Sequence, residues 1–303
     1  MRAIRISMIL GVVLALFLIG CSDDDGNGVQ PPARIPVVDQ VTQNDTFEGN
    51  PMVSPDGQWY LFEAEVDGNF DIFRLPVAGG EAERLTTDPA FDSAPAWSPD
   101  GSSICFESER SGNKDIWVLD VSSGGAEPVQ MTFTDSNEGS PAWSPDNTRI
   151  VFESNEGKAE GSDLYIVPVG GGDLLRITET GDTVYNRTAF WSPDSEQLVY
   201  ESNSNGFSAL HILDAGGGES TQITPDAGYE GHPSWSPDGT MIAFESTRTG
   251  ISEIYVVAPT GGDMFRVTTA GGWWPNWSPD GSSIVYCVFA FGQPDIWTVA
   301  VDW

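Results

Sequence analysis

The sequence predicts an all-β fold, a six-bladed β-propeller with four-stranded blades, and three observations predict it. A Ser-Pro-Asp signature recurs at Ser54, Ser98, Ser144, Ser192, Ser236 and Ser278, at spacings of 44, 46, 48, 44 and 42 residues. A period of about 45 residues is one propeller blade. Each repeat carries four short β patterns, and no segment offers a helical period. The last repeat stops at Trp303 after its third pattern, while the start of the chain holds a spare fourth one.

The first pattern is "PAWS" and the second is "SSICFES", with its alternation. The third is "DIWVLDV", which recurs as "DIFRLPV", "DLYIVPV", "ALHILDA", "EIYVVAP" and "DIWTVAV". The fourth ends in Leu85-Thr86, Met131-Thr132, Ile177-Thr178, Ile223-Thr224 and Val267-Thr268. The spare is "VDQVTQN", where Val41-Thr42 repeats that ending. Residues 36 to 44 are therefore expected to pair beside the C-terminal strand, closing blade six with one strand from each end of the chain and protecting an exposed edge.

The Ser-Pro-Asp signature reads as a turn between the first two strands. Proline fixes φ, Asp stabilises the turn through its backbone, and the Gly that follows tolerates positive φ. Asn147 replaces that Gly in blade three and Ser195 replaces it in blade four. Serine suits left-handed backbone less well, so blade four is expected to turn differently. A catalytic Ser-Asp pair repeated six times has no chemical rationale.

Composition restricts the partners. The formal charge is −32, and removal of a leader containing Arg2 and Arg5 would take it to −34, so a nucleic-acid partner is not expected. Arg2 and Arg5 precede the apolar run "SMILGVVLALFLIG", which is short for a membrane span and reads as a signal peptide over residues 1–20. Its end, "LIGC", resembles the bacterial lipobox. That resemblance implies a lipoprotein beginning at Cys21 and held in the membrane through its N-terminal lipid alone. Residues 21–34, "SDDDGNGVQPPAR" after the cysteine, form a polar tether. Ser22 after the cysteine resembles an outer-membrane address, and Asp23 to Asp25 resemble a surface-export signal. The location is then the bacterial envelope, on the periplasmic or the outer side of the outer membrane. Cys105 and Cys287 lie in repeats two and six and are expected to be buried, unpaired thiols.

The composite pattern "xxPxWSPDGxxIxFES…GNxDIYVxxxxGGxxxRLT" resembles the TolB-type, WD-like propeller repeat across residues 36 to 303. The resemblance implies six blades over 35–303. Members of that family carry an α/β domain ahead of the propeller, where this sequence has the tether.

Two sets of acidic positions stand out. Six residues before each turn serine are Glu48, Asp92, Glu138, Asn186, Glu230 and Gly272, expected to rim the channel mouth on the face opposite the turns. At the end of each second strand are Glu63, Glu107, Glu153, Glu201, Glu245 and Cys287, expected one strand further out. Two readings stay open: an acidic funnel for a cation or a basic partner segment, or, as the resemblance implies for the second set, acceptors for a neighbouring blade or for Arg110 and Arg248. No cofactor is expected. The sequence lacks an Asp-x-Asp-x-Asp loop, so Ca²⁺ would need a site improvised from several blades.

Blades four and six depart from the pattern. Tyr185, Asn186 and Arg187 mark the first, and Trp273 and Trp274 in "GGWWPNW" mark the second. Aromatics there could stack on a glycan or grip a peptide, or simply pack the closing blade. His232 lies near the expected acidic rim, and His211 reads as core. No Gly-x-Ser-x-Gly motif is present, and neither are the metal-binding histidines of oligogalacturonate-lyase-like propellers. The expectation is a monomeric, non-catalytic scaffold that binds an envelope protein or peptide, with a glycan as another candidate ligand. The alternative is a carbohydrate-active or other hydrolytic enzyme using His232 and rim carboxylates.

Overall fold

A computed structural model of the chain describes residues 37–301, apart from 44, 125, 226–227 and 290–292. The expected signal peptide, Cys21 and the tether lie outside the described residues. Six antiparallel four-stranded sheets form the blades, five of them running in sequence order from the channel outwards. Blade one comprises Glu48–Val53, Trp59–Val66, Asn69–Pro76 and Glu83–Arg84. The next four repeat this plan from Asp92, Glu138, Asn186 and Glu230.

Blade six closes as expected. Trp273–Trp277, Ser283–Phe289 and Pro294–Ala300 are completed by Val38–Gln40, which pairs antiparallel with Val38 opposite Val299. The recurring threonine explains why this register is chosen. In every blade its hydroxyl accepts an N–H from the first half of the third strand: Thr86 from Ile72 at 3.0 Å, Thr132 from Ile116 at 2.9 Å, and Thr42 from Ile296 at 2.9 Å. Thr42 therefore does for blade six what the fourth-strand threonines do elsewhere, although more than 250 residues separate it from its partner.

The blades stack face to face through their alternating apolar residues. Trp191, Leu198 and Tyr200 of blade four, for example, pack on Val151, Leu164 and Ile166 of blade three. Each such large side chain contributes about 1.5–3 kcal/mol of burial. Cys105 and Cys287 are free and fully buried in these layers, and burial pushes both thiols well above their ordinary range. His211 is buried in a third strand beside Tyr200, as read.

All six Ser-Pro-Asp turns share one set of hydrogen bonds. In blade two the Gly101 N–H donates to Ser98 O at 2.9 Å, and the Ser98 hydroxyl donates to Asp100 at 2.7 Å. Blade four does not turn differently, contrary to expectation. Ser195 adopts φ 64°, close to the 70° of Gly101, and its N–H makes the same 2.9 Å bond to Ser192. Neighbouring blade three supports the strained residue: the Asp146 N–H donates to the Ser195 hydroxyl at 3.0 Å and Arg149 donates to its carbonyl at 2.9 Å.

Candidate binding site at the channel mouth

The channel is built from a defect repeated in every inner strand. Between strands one and two the register shifts at Gly49/Met52, Ser93/Ala96, Gly139/Ala142, Arg187/Phe190, Gly231/Ser234 and Trp273/Asn276. Five of these bulges contain a proline, whose missing N–H cannot continue the ladder. The first residue of each bulge, which in five blades precedes that proline, turns left-handed: Asn50, Ala94, Ser140, Thr188, His232 and Trp274 all have φ between 48° and 54°. For β-branched Thr188 and bulky Trp274 such backbone is unusual and costs roughly 1–3 kcal/mol. These six residues, one from each blade, line a central cavity of about 230 Å³.

Into this bulge reaches the second-strand glutamate of the preceding blade. Glu63 accepts the Ala94 N–H at 2.7 Å, Glu107 the Ser140 N–H at 3.2 Å, and Glu245 the Trp274 N–H at 3.3 Å. Glycine makes the approach possible: a Cβ on Gly139 or Gly231 would run into Glu107 or Glu201 of the preceding blade. In blade six the strand-one residue is Trp273, and its register partner is Cys287 in place of a glutamate. The ring of carboxylates is therefore five-membered, interrupted where the tryptophan needs room.

This geometry reverses the placement read from the sequence. Glu48, Asp92, Glu138, Asn186 and Glu230 do not rim the channel. They are 0–1% exposed and point back into the junction with the preceding blade. A blade presents its two faces to its neighbours, so alternate residues of the inner strand face other blades and not the axis. Arg110 and Arg248 serve this buried set. Arg110 holds both oxygens of Asp92 at 2.8 Å, and Arg248 is paired with Glu230. Asn186 donates to Asp163 at 3.1 Å.

The channel glutamates are unevenly neutralised. Lys114 meets Glu107 at 2.6 Å, Arg187 meets Glu201 at 2.6 Å, and His232 Nδ1 lies 3.4 Å from Glu245. Among the described residues, Glu63 and Glu153 have no base within ion-pair distance. Desolvation pushes each of them up to about 7, with Glu107 adding repulsion. A second polar cavity of about 260 Å³ adjoins this wall, lined by residues including Lys114, Glu153, Tyr185 and Arg187.

His232 and Trp274 meet on the other side of the mouth. The Trp274 indole N–H donates to His232 Nε2 at 3.1 Å, and the Tyr229 hydroxyl donates to Glu201 at 3.0 Å while lying 3.3 Å from His232 Nδ1. Burial alone would lower the imidazole's affinity for a proton, but Glu245 and then Glu201 outweigh it and raise the pKa. From here an arc of rings crosses blades five, six, one and two: Tyr229 to His232 at 6.5 Å, His232 to Trp274 at 6.1 Å, Trp274 to Phe47 at 6.0 Å, Phe47 to Phe70 at 5.3 Å and Phe70 to Phe91 at 5.9 Å. Trp273 lies outside the arc, 4.6 Å from Phe289 and against the blade core. Sequence reading missed Phe47, Phe70, Phe91 and Tyr229. The available signal was an aromatic directly before the first strand, at Phe47, Phe91, Tyr185 and Tyr229.

Fold and site together define a six-bladed propeller with a side-chain-lined mouth opposite its uniform turns. The chain belongs to the family described as the TolB beta propeller domain, whose profile matches residues 36–136 and 184–302. No match was found among curated proteins. Among solved structures the chain is similar to a TolB candidate from Agrobacterium tumefaciens, with TM-score 0.66 and 21% identity over 86% of this chain and 92% of that one. It is also similar to TolB from Acinetobacter baumannii, with TM-score 0.63 and 19% identity over 85% of this chain and 63% of that one. An oligogalacturonate lyase from Vibrio parahaemolyticus follows at TM-score 0.57 and 14% identity, over 88% and 93% of the two chains. At these identities the likeness is one of fold. Among the described residues, no group of three or more His, Cys, Asp or Glu side chains is arranged to hold a metal ion.

Proposed function

We propose that this propeller is a non-catalytic binding module of the bacterial cell envelope, anchored through a lipidated Cys21, whose channel mouth takes a basic segment of a protein partner. One observation carries the reading: five glutamates converge on the mouth, and Glu63 and Glu153 stand there without a base. A lysine or arginine from a partner would supply the missing charge, in a setting dry enough for it to count. The aromatic arc facing this wall would grip the apolar part of the same segment. Strained backbone at all six bulges fits a site shaped for a ligand.

The enzymatic reading rests on the cluster of Tyr229, His232 and Glu245. A general base needs a ring nitrogen free to face its substrate. Here Trp274 occupies Nε2 and Glu245 and Tyr229 flank Nδ1, which favours a structural histidine.

The test is fluorescence anisotropy with a labelled Lys/Arg-rich peptide and its Asp/Glu counterpart. The basic peptide is expected to bind in a salt-sensitive way and to lose at least about tenfold in affinity to the Glu63→Gln/Glu153→Gln variant. Equal binding by both peptides, or by parent and variant, would sink the proposal.

A further inference from the structure

The blade junctions differ in how their buried acids are balanced. At three of the six, an acid from the third strand of one blade is matched with an acid from the first strand of the next; at the other three one of the two positions is uncharged. At the first junction Asp71 is paired with Arg84 and Asp92 with Arg110. At the third, Asp163 has Lys158 at 2.8 Å and Arg176 at 2.6 Å, with neutral Asn186 as the other member. Glu230 has Arg248 at the fourth, and Glu253 has Arg266 at the fifth. At the closing junction Gln40 and Thr42 donate to Asp295 and Glu48.

At the junction of blades two and three both positions are acids, and the groups that donate to them are neutral, as at the closing junction. Asp115 and Glu138 are each 1% exposed, and the Glu138 N–H donates at 2.8 Å to the carbonyl of Lys114, the residue next to Asp115. Gln130 stands where Asp71, Asp163 and Glu253 find arginine, and blade three has Asn155 and Glu156 in the loop where Arg110 and Arg248 arise. Among the described residues no basic side chain lies within ion-pair distance of either acid. Asp115 receives the Ser111 hydroxyl, Gln130 Nε2 at 3.1 Å and the Thr132 hydroxyl at 3.3 Å. Glu138 Oε1 receives the Thr134 hydroxyl at 2.5 Å, but its Oε2 is buried without any partner.

We infer that the junction of blades two and three is a binding site for one divalent hard cation of the Ca²⁺ class, held between Asp115 and Glu138. Two buried carboxylates carry two negative charges. A shared proton would cancel one, whereas a divalent cation cancels both. The surroundings offer oxygen donors: the hydroxyls of Thr132 and Thr134, and the loop that Asn113 fastens by donating to Thr134 O at 3.2 Å and to Ser136 O. Such a set suits Ca²⁺, which takes six to eight oxygens in adaptable geometry and keeps waters among them. The polar cavity of about 260 Å³ reaches Glu138 from the loop face and supplies a path for the ion and its waters. The cavity that reaches Glu138 is also lined by Glu107 and Glu153, whereas Glu63 lies outside it, so Glu63 distinguishes this site from the peptide site.

The experiment is thermal unfolding and calorimetric titration of the full chain, stripped with EDTA and then supplied with millimolar Ca²⁺. One ion per chain and a rise in Tm of about 5 °C are expected. The rise should vanish in Glu138→Gln and in Asp115→Asn, and survive in Glu63→Gln. Equal melting of the parent in EDTA and in Ca²⁺ would overturn the inference and leave a shared proton as the occupant. So would a Ca²⁺ response that persists unchanged in both junction variants. The two junction substitutions remove charge without adding bulk, and the parent's own titration decides the matter if either fails to fold.

Discussion

Glu48 and Glu63 lie on paired strands, one register step apart, yet they do opposite things. Glu48 stands opposite Ala64 and is buried against the blade before it; Glu63 stands opposite Gly49 and reaches the bulge of the blade after it. The same division runs round the ring. First-strand acids face backwards into the junctions, where arginines meet Asp92 and Glu230 and threonine hydroxyls meet Glu48 and Glu138; second-strand glutamates face forwards into the channel, where their neutralisation is partial. A single residue step in a strand reverses the side on which a charge falls. Two acidic series with equal periodicity can thus have unequal roles: one set joins blades, and the other is available to a ligand.

The largest test of this division acts on the junction set. Arg110→Met keeps much of the aliphatic stem while removing the guanidinium that lies over Phe106 and Trp117 and pairs with Asp92, which is fully buried. The expected loss of stability is about 3–5 kcal/mol, measured by urea unfolding. Adding Asp92→Asn should return a large part of it, because the loss comes from an uncompensated carboxylate. A loss below 1 kcal/mol, or no recovery in the double variant, would mean that the junction acids are not held by their bases.

The channel set should respond with the opposite sign. Glu63→Gln and Glu153→Gln are each expected to raise stability at pH 8, by about 1–3 kcal/mol. Both carboxyls are raised from 4.5 to about 7 in the folded state, chiefly by desolvation. The folded state therefore binds more protons than the unfolded one between those values, and the parent loses stability as pH rises through that window. Below about 4.5 parent and variant should converge. Unfolding midpoints measured from pH 4 to 8 check this, and parallel profiles would refute it.

Much of this architecture was legible because it is local. The turn, the fourth-strand threonine and the alternating apolar pattern each act within a few residues or across one strand pair, so six copies announce six blades, and Val41-Thr42 could be matched to the fourth strand of the last. The channel was misplaced because its lining depends on a bulge, and the bulge is encoded only indirectly, by Pro51, Pro95, Pro141, Pro233 and Pro275 after the residue that turns. Ala189 occupies that position in blade four and the bulge persists, so proline assists it without being required. The aromatic arc was missed for a different reason. Its members belong to blades five, six, one and two, and only closure of the ring brings Trp274 against Phe47.

The smallest expected effect separates the two sets by their solvent. Lys114 pairs with Glu107 at 2.6 Å, a shorter distance than Arg110 to Asp92, so contact geometry alone would rank it as the stronger link. Its side chain is nevertheless 40% exposed against 13% for Arg110, and Glu107 lies at an open mouth. Water and salt screen that pair, and the ordering of a long lysine offsets part of the attraction. Lys114→Met is therefore expected to cost less than about 1 kcal/mol, with most of the difference gone at 1 M salt. In the peptide assay the same variant should bind the basic probe more tightly than the parent, because Glu107 then joins Glu63 and Glu153 as a carboxylate in want of a base. A variant that loses several kcal/mol, or that binds the peptide less well, would place Glu107 among the structural acids and leave the mouth with fewer charges to offer.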